Sequence, residues 1–391
     1  MCTAGLNARI ARLAAIAAIA FIDYRKIRPL HFGFVGNPAH RTHRPSKDSV
    51  NTSHSSAASR PVAVIGAGSF GTALAIALAR RGSLTRLWGR NAAEMHAAER
   101  TRHNPRYLSD CEFPPSLTAT ADLDAALHDA EDIVVATPSH ALRATVEMLK
   151  PLIANGRQGL VIACKGFEPG SGKLSHEVVS DVLGGAHPYA VLSGPTFANE
   201  LGRGLPTAVI IASTDSAFAE RIAHRLNGGG FRAYTGNDVI GVEIGGAAKN
   251  VIAIAAGASD GLGFGANARS LLITRGLAEI RRLGEKMGAR SETLMGLSGL
   301  GDLVLTCTDN QSRNRRMGLL LASGKSVAEA TEEIQQVVEG IKAAPEVHRL
   351  ALRFEVAMPI TEVACAVIDG RMTPREAFAA LASRSVRAEA K

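Results

Sequence analysis

The chain has 391 residues, 46% hydrophobic, 20% charged and 4% aromatic, which suits two domains with cores of their own and excludes disorder throughout. With Trp88 as its single tryptophan it lacks the aromatic platforms of a base-stacking nucleic-acid binder. The net charge of +8 argues for no phosphate-backbone partner either. The first sixty residues carry nine Lys/Arg against two acids, whereas the other 331 carry 35 against 34.

Residues 1–59 stand apart. Leu13 to Ile22 is an apolar run preceded by Arg9 and Arg12, shaped like a secretion signal. It is too short to span a bilayer, and Asp23-Tyr24-Arg25-Lys26 follows without a clear cleavage site. From Pro38 to Ser59 the composition of Ser, His, Arg, Thr and Asn predicts disorder. The segment reads as an N-terminal extension; a targeting peptide and a surface anchor are the alternatives.

Ordered structure is predicted from Pro61. Val62-Ala63-Val64-Ile65 is a continuous apolar run, as in a strand buried on both faces of a parallel sheet. A helix is expected from Phe70 to Arg81. Strand-like runs recur at 84–88, 132–137, 159–164, 189–193, 207–212 and 231–234. Helical stretches separate most of them, the alternation of a doubly wound sheet. After about residue 237 helical patterns take over, at 239–258, 270–287, 313–322, 327–333, 343–354, 360–368 and 374–382. The predicted fold is α/β, a Rossmann-like doubly wound sheet over residues 60–237 followed by an all-α domain over 238–386. No transmembrane segment is expected. Five scattered cysteines without a CxxC pair suit reduced thiols in a cytoplasmic protein, with no disulfide framework and no metal site.

Gly66-Ala67-Gly68-Ser69-Phe70-Gly71 closes the first strand and opens the first helix. Gly66 permits the tight turn, Gly68 lets the backbone approach a pyrophosphate, and Gly71 lets helix and strand pack closely. The helix N-terminus then faces the anion. A purely structural turn is the alternative. The second strand ends at Gly89-Arg90-Asn91 without the acid that would bind the ribose 2′-OH of NAD. Arg90 can pair with a 2′-phosphate, which favours NADP (NADPH) and tolerates NAD (NADH); a solvated arginine is the other reading.

Two later segments are odd in structural terms. Glu243 and Lys249 interrupt the apolar run 239–258, with Asn250 on the same stripe as Glu243. Charges in such a run are costly unless paired or facing a cleft, and a buried lysine of lowered pKa suits proton transfer. A structural Glu–Lys or Lys–backbone contact is the alternative. The second segment is a glycine-rich loop through Asp302, then Thr306 and Ser312-Arg313-Asn314-Arg315-Arg316. Its four basic or amide side chains, Arg313 to Arg316, beside a helix start read as an anion clamp, favoured by the nearby glycine-rich loop; on spacing alone a solvated basic turn is the alternative.

The stretches GAGSFGTALA, WGRN, CKGFEPGSGKLSHE, LSGPTFANE, GGAAKNVIAIAAGASDGLGFGANARSLLITRGLAEI, MGLSGLGDLVLTCTDNQSRNRRMG and VVEG resemble the bacterial-type NAD(P)-dependent glycerol-3-phosphate dehydrogenases, from Pro61 to about Ala382. The resemblance implies hydride transfer between NAD(P)H and dihydroxyacetone phosphate, giving sn-glycerol 3-phosphate for glycerophospholipid synthesis. It implies Lys249 as general acid/base, and Lys165 where substrate and cofactor meet. Gly194, Thr196, Asn250, Asp302, Ser312, Arg313 and Asn314 fall at substrate positions. Ser69, Phe70, Arg90, Tyr107, Ala198, Arg313, Val337 and Glu339 fall at cofactor positions. A homodimer is left open. The competing readings are a related reductase of a carboxylate substrate and a non-catalytic dinucleotide sensor.

Overall fold

All four residues of Val62–Ile65 (β1) are buried, because helices cover both faces of the sheet around it. The computed structural model describes residues 60–153 and 158–384, so the expectations for residues 1–59 lie outside the described residues. The remaining strands are Thr85–Trp88 (β2), Leu117–Thr120 (β3), Asp132–Val135 (β4), Gly159–Ile162 (β5), Tyr189–Ser193 (β6), Thr207–Ala212 (β7) and Phe231–Gly236 (β8). They form one sheet in the order β3-β2-β1-β4-β5-β6-β7-β8. Every neighbouring pair is parallel except β6 with β7. The strand order reverses direction between β1 and β4, which opens a crevice at their carboxyl ends.

Helices Ser69–Arg80 (α1), Ala92–Thr101 (α2), Leu123–Leu127 (α3), Leu142–Ile153 (α4), Ser175–Leu183 (α5), Ala198–Arg203 (α6) and Ser216–Leu226 (α7) accompany the sheet. After β8 come Val239–Gly261 (α8), Gly265–Lys286 (α9), Ser291–Leu294 (α10), a π-helical turn Leu297–Gly301, and Asp302–Thr308 (α11). Arg313–Ala322 (α12), Val327–Ile334 (α13), Glu339–Arg353 (α14), Pro359–Ile368 (α15) and Pro374–Ala382 (α16) follow within the described residues. The expected succession of an α/β half and an all-α half is observed.

Side chains of β1 alternate between two cores. Val62 and Val64 join Leu74, Leu78, Phe218 and Ile222, while Ala63 and Ile65 join Leu142, Leu149 and Val178. A third core surrounds α8, where Ile244, Val251 and Ile252 meet Ile280, Leu283, Leu303 and Val347. By length and composition α8 could cross a membrane, yet 89% of its most apolar window lies inside the protein. It is a core helix. Asp238 caps it, accepting from Gly241 N at 2.9 Å. Close approach requires small residues on α8: a Cβ on Gly245 would lie 2.8 Å from Ser298 O, and one on Gly246 2.8 Å from Ser193 Oγ.

The sequence reading missed β3. Its residues, Leu-Thr-Ala-Thr, alternate between buried and more open positions at the sheet edge and offer one large apolar side chain. Helix α9 starts at Gly265 rather than Ser270, because the low helix propensity of Gly265 and Asn267 masked its first turn.

Candidate active site

The turn from β1 into α1 builds one wall of the crevice. Gly66 has φ +114°, and a Cβ there would lie 2.9 Å from the Ala136 carbonyl, so the β4 turn leaves room for glycine alone. At Gly68 a Cβ would meet nothing within 4 Å, and no side chain caps α1. The first amides of α1 therefore face open space, as a pyrophosphate requires. Gly66, Gly68, Ser69 and Phe70 line a cleft of about 1600 Å³, while Gly71 is buried beneath the turn. Arg90 follows β2 at the rim, exposed, and Tyr107 lines the same cleft. Arg106 lines it too, paired with Glu94, its guanidinium 5.1 Å from the centre of the Tyr107 ring. The sequence reading did not single out Arg106 or Glu94.

Three charged residues meet deeper in the cleft. Lys249 on α8 pairs with Asp302 Oδ1 and donates to Thr306 Oγ1 at 2.9 Å. Lys165, just beyond β5, donates to Asp302 Oδ2 at 2.7 Å and to the Gly194 carbonyl at 2.9 Å. One carboxylate thus bridges two ammonium groups. The Lys165 ammonium also lies 5.7 Å from the centre of the Phe70 ring, at the glycine-loop end. Burial pulls Lys249 down to about 8, with Asp302 opposing and Lys165 adding to the fall. Burial opposes the Asp302 charge, but the two ammonium groups outweigh it and hold the carboxyl below its usual range. Such a lysine carries a proton near neutrality and can give it up. Thr306, which also donates to the Asp302 carbonyl at 2.6 Å, sits among these groups. Only its position after the glycine-rich loop pointed to it.

The basic cluster at α12 divides. Ser312 caps the helix, accepting from Arg315 N at 3.2 Å. Arg313 and Arg316 line the cleft, whereas Arg315 turns away to Asp260 Oδ2 at 2.6 Å and to Asn310. The expected four-group clamp is thereby corrected, because Arg315 is committed to an ion pair under α8. Burial lowers the Arg313 pKa, opposed by Glu339 and reinforced by Arg316. Asn314 Nδ2 donates to Asn250 Oδ1 at 2.8 Å, and Asn314 Oδ1 accepts from Gly340 N at 2.9 Å.

Thr196, Ala198, Val337 and Glu339 also line the cleft, with Glu339 accepting from Ser139 Oγ at 2.9 Å. Gly194 is not part of the lining and reaches the site through its carbonyl on Lys165. Glu243 faces elsewhere. Its carboxylate takes His176 N at 2.9 Å and His176 Nδ1 at 2.5 Å, tying α8 to α5. The alternative reading of Glu243, a structural contact, is the one realised, with His176 rather than a lysine as partner. Among the described residues no three His, Cys, Asp or Glu side chains gather to hold a metal.

A cleft that offers helix amides at one end and a proton-carrying lysine at the other suits one class of protein, the Rossmann-type dehydrogenases that move hydride to or from an alcohol carbon. Comparison with known proteins narrows the class. Residues 61–219 match the model of the NAD-dependent glycerol-3-phosphate dehydrogenase N-terminus, and residues 238–379 that of its C-terminus. A curated relative from Idiomarina loihiensis, named glycerol-3-phosphate dehydrogenase [NAD(P)+], is 53% identical over 329 residues, spanning 84% of this chain and 98% of its own. Another of that name, from Pseudoalteromonas translucida, is 52% identical over 335 residues, 85% of this chain and all of its own. The crystal structure of glycerol-3-phosphate dehydrogenase from Coxiella burnetii superimposes with a TM-score of 0.80 at 44% identity, covering 83% of this chain and 99% of that one. The chain belongs to the NAD-dependent glycerol-3-phosphate dehydrogenase family.

Proposed function

We propose that the protein interconverts dihydroxyacetone phosphate and sn-glycerol 3-phosphate with NAD(P)H or NAD(P)+, supplying the phosphate ester for glycerophospholipid synthesis. The observation that carries this reading is the Lys249–Asp302–Lys165 bridge, set in one cleft with the glycine loop and with Arg313. When bound, the dinucleotide supplies or accepts the hydride. Lys249, as an ammonium near pH 7, gives its proton to the oxygen on C2; as a neutral amine it takes that proton back in the oxidation. Asp302 holds the lysine in place and keeps part of its basicity. Arg313, at the first turn of α12, fixes the substrate phosphate and orients C2. Lys165 stands between the glycine loop and Asp302, where substrate and cofactor meet.

Gly68, Ser69 and Phe70 hold the pyrophosphate end, and Ala198, Val337 and Glu339 line the same cleft as further cofactor contacts. Arg90 and Tyr107 hold the adenosine end, and Arg90 favours NADPH over NADH. The proposal extends to action in the cytoplasm, and to a homodimer as the assembly that light scattering would test. The deciding assay follows the absorbance of the reduced nicotinamide with dihydroxyacetone phosphate, NADPH and NADH in parallel. Oxidation of neither cofactor would remove the proposal.

A further inference from the structure

A glutamate at the third position of a helix commonly turns back to accept from the amide of its N-cap residue. Glu329 accepts in this way from Ser326 N at 2.8 Å, and Glu376 from Thr373 N at 2.8 Å. Glu94 holds the same position in α2, behind the N-cap Asn91, but its carboxylate takes the Arg106 guanidinium instead. The cap is left to Asn91, which accepts from Glu94 N at 3.2 Å. Arg106 is held from the other side. Asn104, 6% exposed, donates to the Ala67 carbonyl at 2.9 Å and to Thr72 Oγ1 at 2.8 Å, and accepts from Tyr107 N at 3.2 Å. One buried amide therefore ties the Arg106–Tyr107 segment to the glycine turn and to α1. Glu94 and Arg106 line the cleft together with Arg90 and Tyr107. Their side chains are 33% and 63% exposed, and an ion pair so open to water is weakly held. A ligand that offers either member a better partner can open it.

We infer that Glu94 and Arg106 form a two-way reader of the adenosine ribose, Glu94 accepting from a 2′-hydroxyl and Arg106 donating to a 2′-phosphate, each serving as counter-ion to the other when it is not engaged. The inference rests on the proposed reading of this part of the cleft as the adenosine end. Strand β2 ends without the acid that binds a 2′-OH, and the helix that follows supplies one three residues past its cap. A 2′-phosphate is an anion, so it draws Arg106 out of the pair and repels Glu94. A hydroxyl is neutral and gains from the carboxylate. Both cofactors are thus accepted by changing which half of one ion pair is in use, and Arg90 alone does not set the choice.

The test measures dissociation constants of NADPH and NADH for the full-length protein by titration calorimetry. Glu94→Ala should weaken NADH by about fivefold and tighten NADPH by about threefold. Arg106→Met keeps an apolar stem against Tyr107; it should weaken NADPH by about 10-fold and leave NADH within about twofold. The preference for NADPH over NADH therefore moves in opposite directions in the two variants. Asp110 lines the same cleft and pairs with Arg203. Asp110→Asn removes one negative charge there and should leave the preference within about twofold. None of the three side chains is buried, so each variant should fold as the wild type does.

A preference unmoved by Glu94→Ala or by Arg106→Met, in a wild type that binds both cofactors, overturns the inference and leaves the reading of the cleft standing. A shift for Asp110→Asn as large as that for Glu94→Ala overturns it too, because net charge would then be the cause. A wild type that binds neither cofactor overturns the reading of the cleft, and the inference with it.

Discussion

Replacing Asp302 by Asn tests the proton-transfer site through its pH dependence. Asp302 raises the Lys249 pKa against a burial effect that already brings it down to about 8. Loss of an opposite charge at contact distance moves a pKa by roughly 1–3 pH units, which would bring Lys249 to ~6. Reduction of dihydroxyacetone phosphate needs the ammonium, so its rate falls as pH rises through that pKa. The falling limb should therefore move toward acid. At pH 7 the ammonium fraction drops from ~90% to ~10%, an approximately 10-fold loss of kcat that disappears near pH 5. The oxidation needs the neutral amine, so its rising limb should move the same way. Breaking a buried pair typically costs about 3–5 kcal/mol, so melting temperature and NADPH affinity must be measured alongside. The assay is the nicotinamide absorbance across pH in both directions. A falling limb that stays in place, in a variant that still binds NADPH, would refute Lys249 as the titrating acid.

Other perturbations separate the parts of the site. Lys249→Ala should lower kcat by at least ~10²–10⁴-fold, with NADPH affinity by fluorescence nearly unchanged; more than a tenth of the activity remaining would remove the assigned role. Arg90→Asp should weaken NADPH by roughly 1.5–3 kcal/mol with a smaller gain for NADH, and an unchanged KM for NADPH would mean that another group reads the 2′-phosphate. Glu279 on α9 is buried and accepts from Ile360 N, Thr361 N and Thr361 Oγ1 at the start of α15. Burial raises it to about 7. The folded state then binds one more proton than the unfolded state from about pH 4.5 to 7, so stability should fall by ~3 kcal/mol across that window and level off above it. Glu279→Gln should flatten the slope in urea midpoints; an equal slope in both proteins would contradict the assignment.

Much of the architecture could be read because it rests on local pattern. Val62–Ile65 and the glycine turn carry their meaning within ten residues. Lys249 stood out as a charge inside an apolar helix, and Asp302 supplies the opposite charge that such a position requires. The edge strand Leu117–Thr120 carried no such pattern, since a strand half open to solvent needs few apolar side chains. Arg315 and Arg316 look alike in sequence, and only helix geometry turns one to Asp260 and the other to the cleft. Glu243 and Lys249 interrupt the same helix, yet the partner of Glu243 comes from His176, 67 positions away. Pairings across that distance leave no local mark. The Gly340–Asn314–Asn250 chain is of the same kind, because a backbone amide has no residue identity to read.

Helix α8 packs against the sheet and against most of the helices that follow it, and it carries Lys249 and Asn250 on the same turn. At Gly245 and Gly246 it approaches Ser298 and Ser193 too closely to admit a side chain on either glycine. The α/β half and the helical half therefore share one long, largely buried helix, and they should unfold as one cooperative unit rather than as separate foldons. A ligand held at either wall then returns its binding free energy to the whole molecule, as a single transition that moves up with ligand concentration.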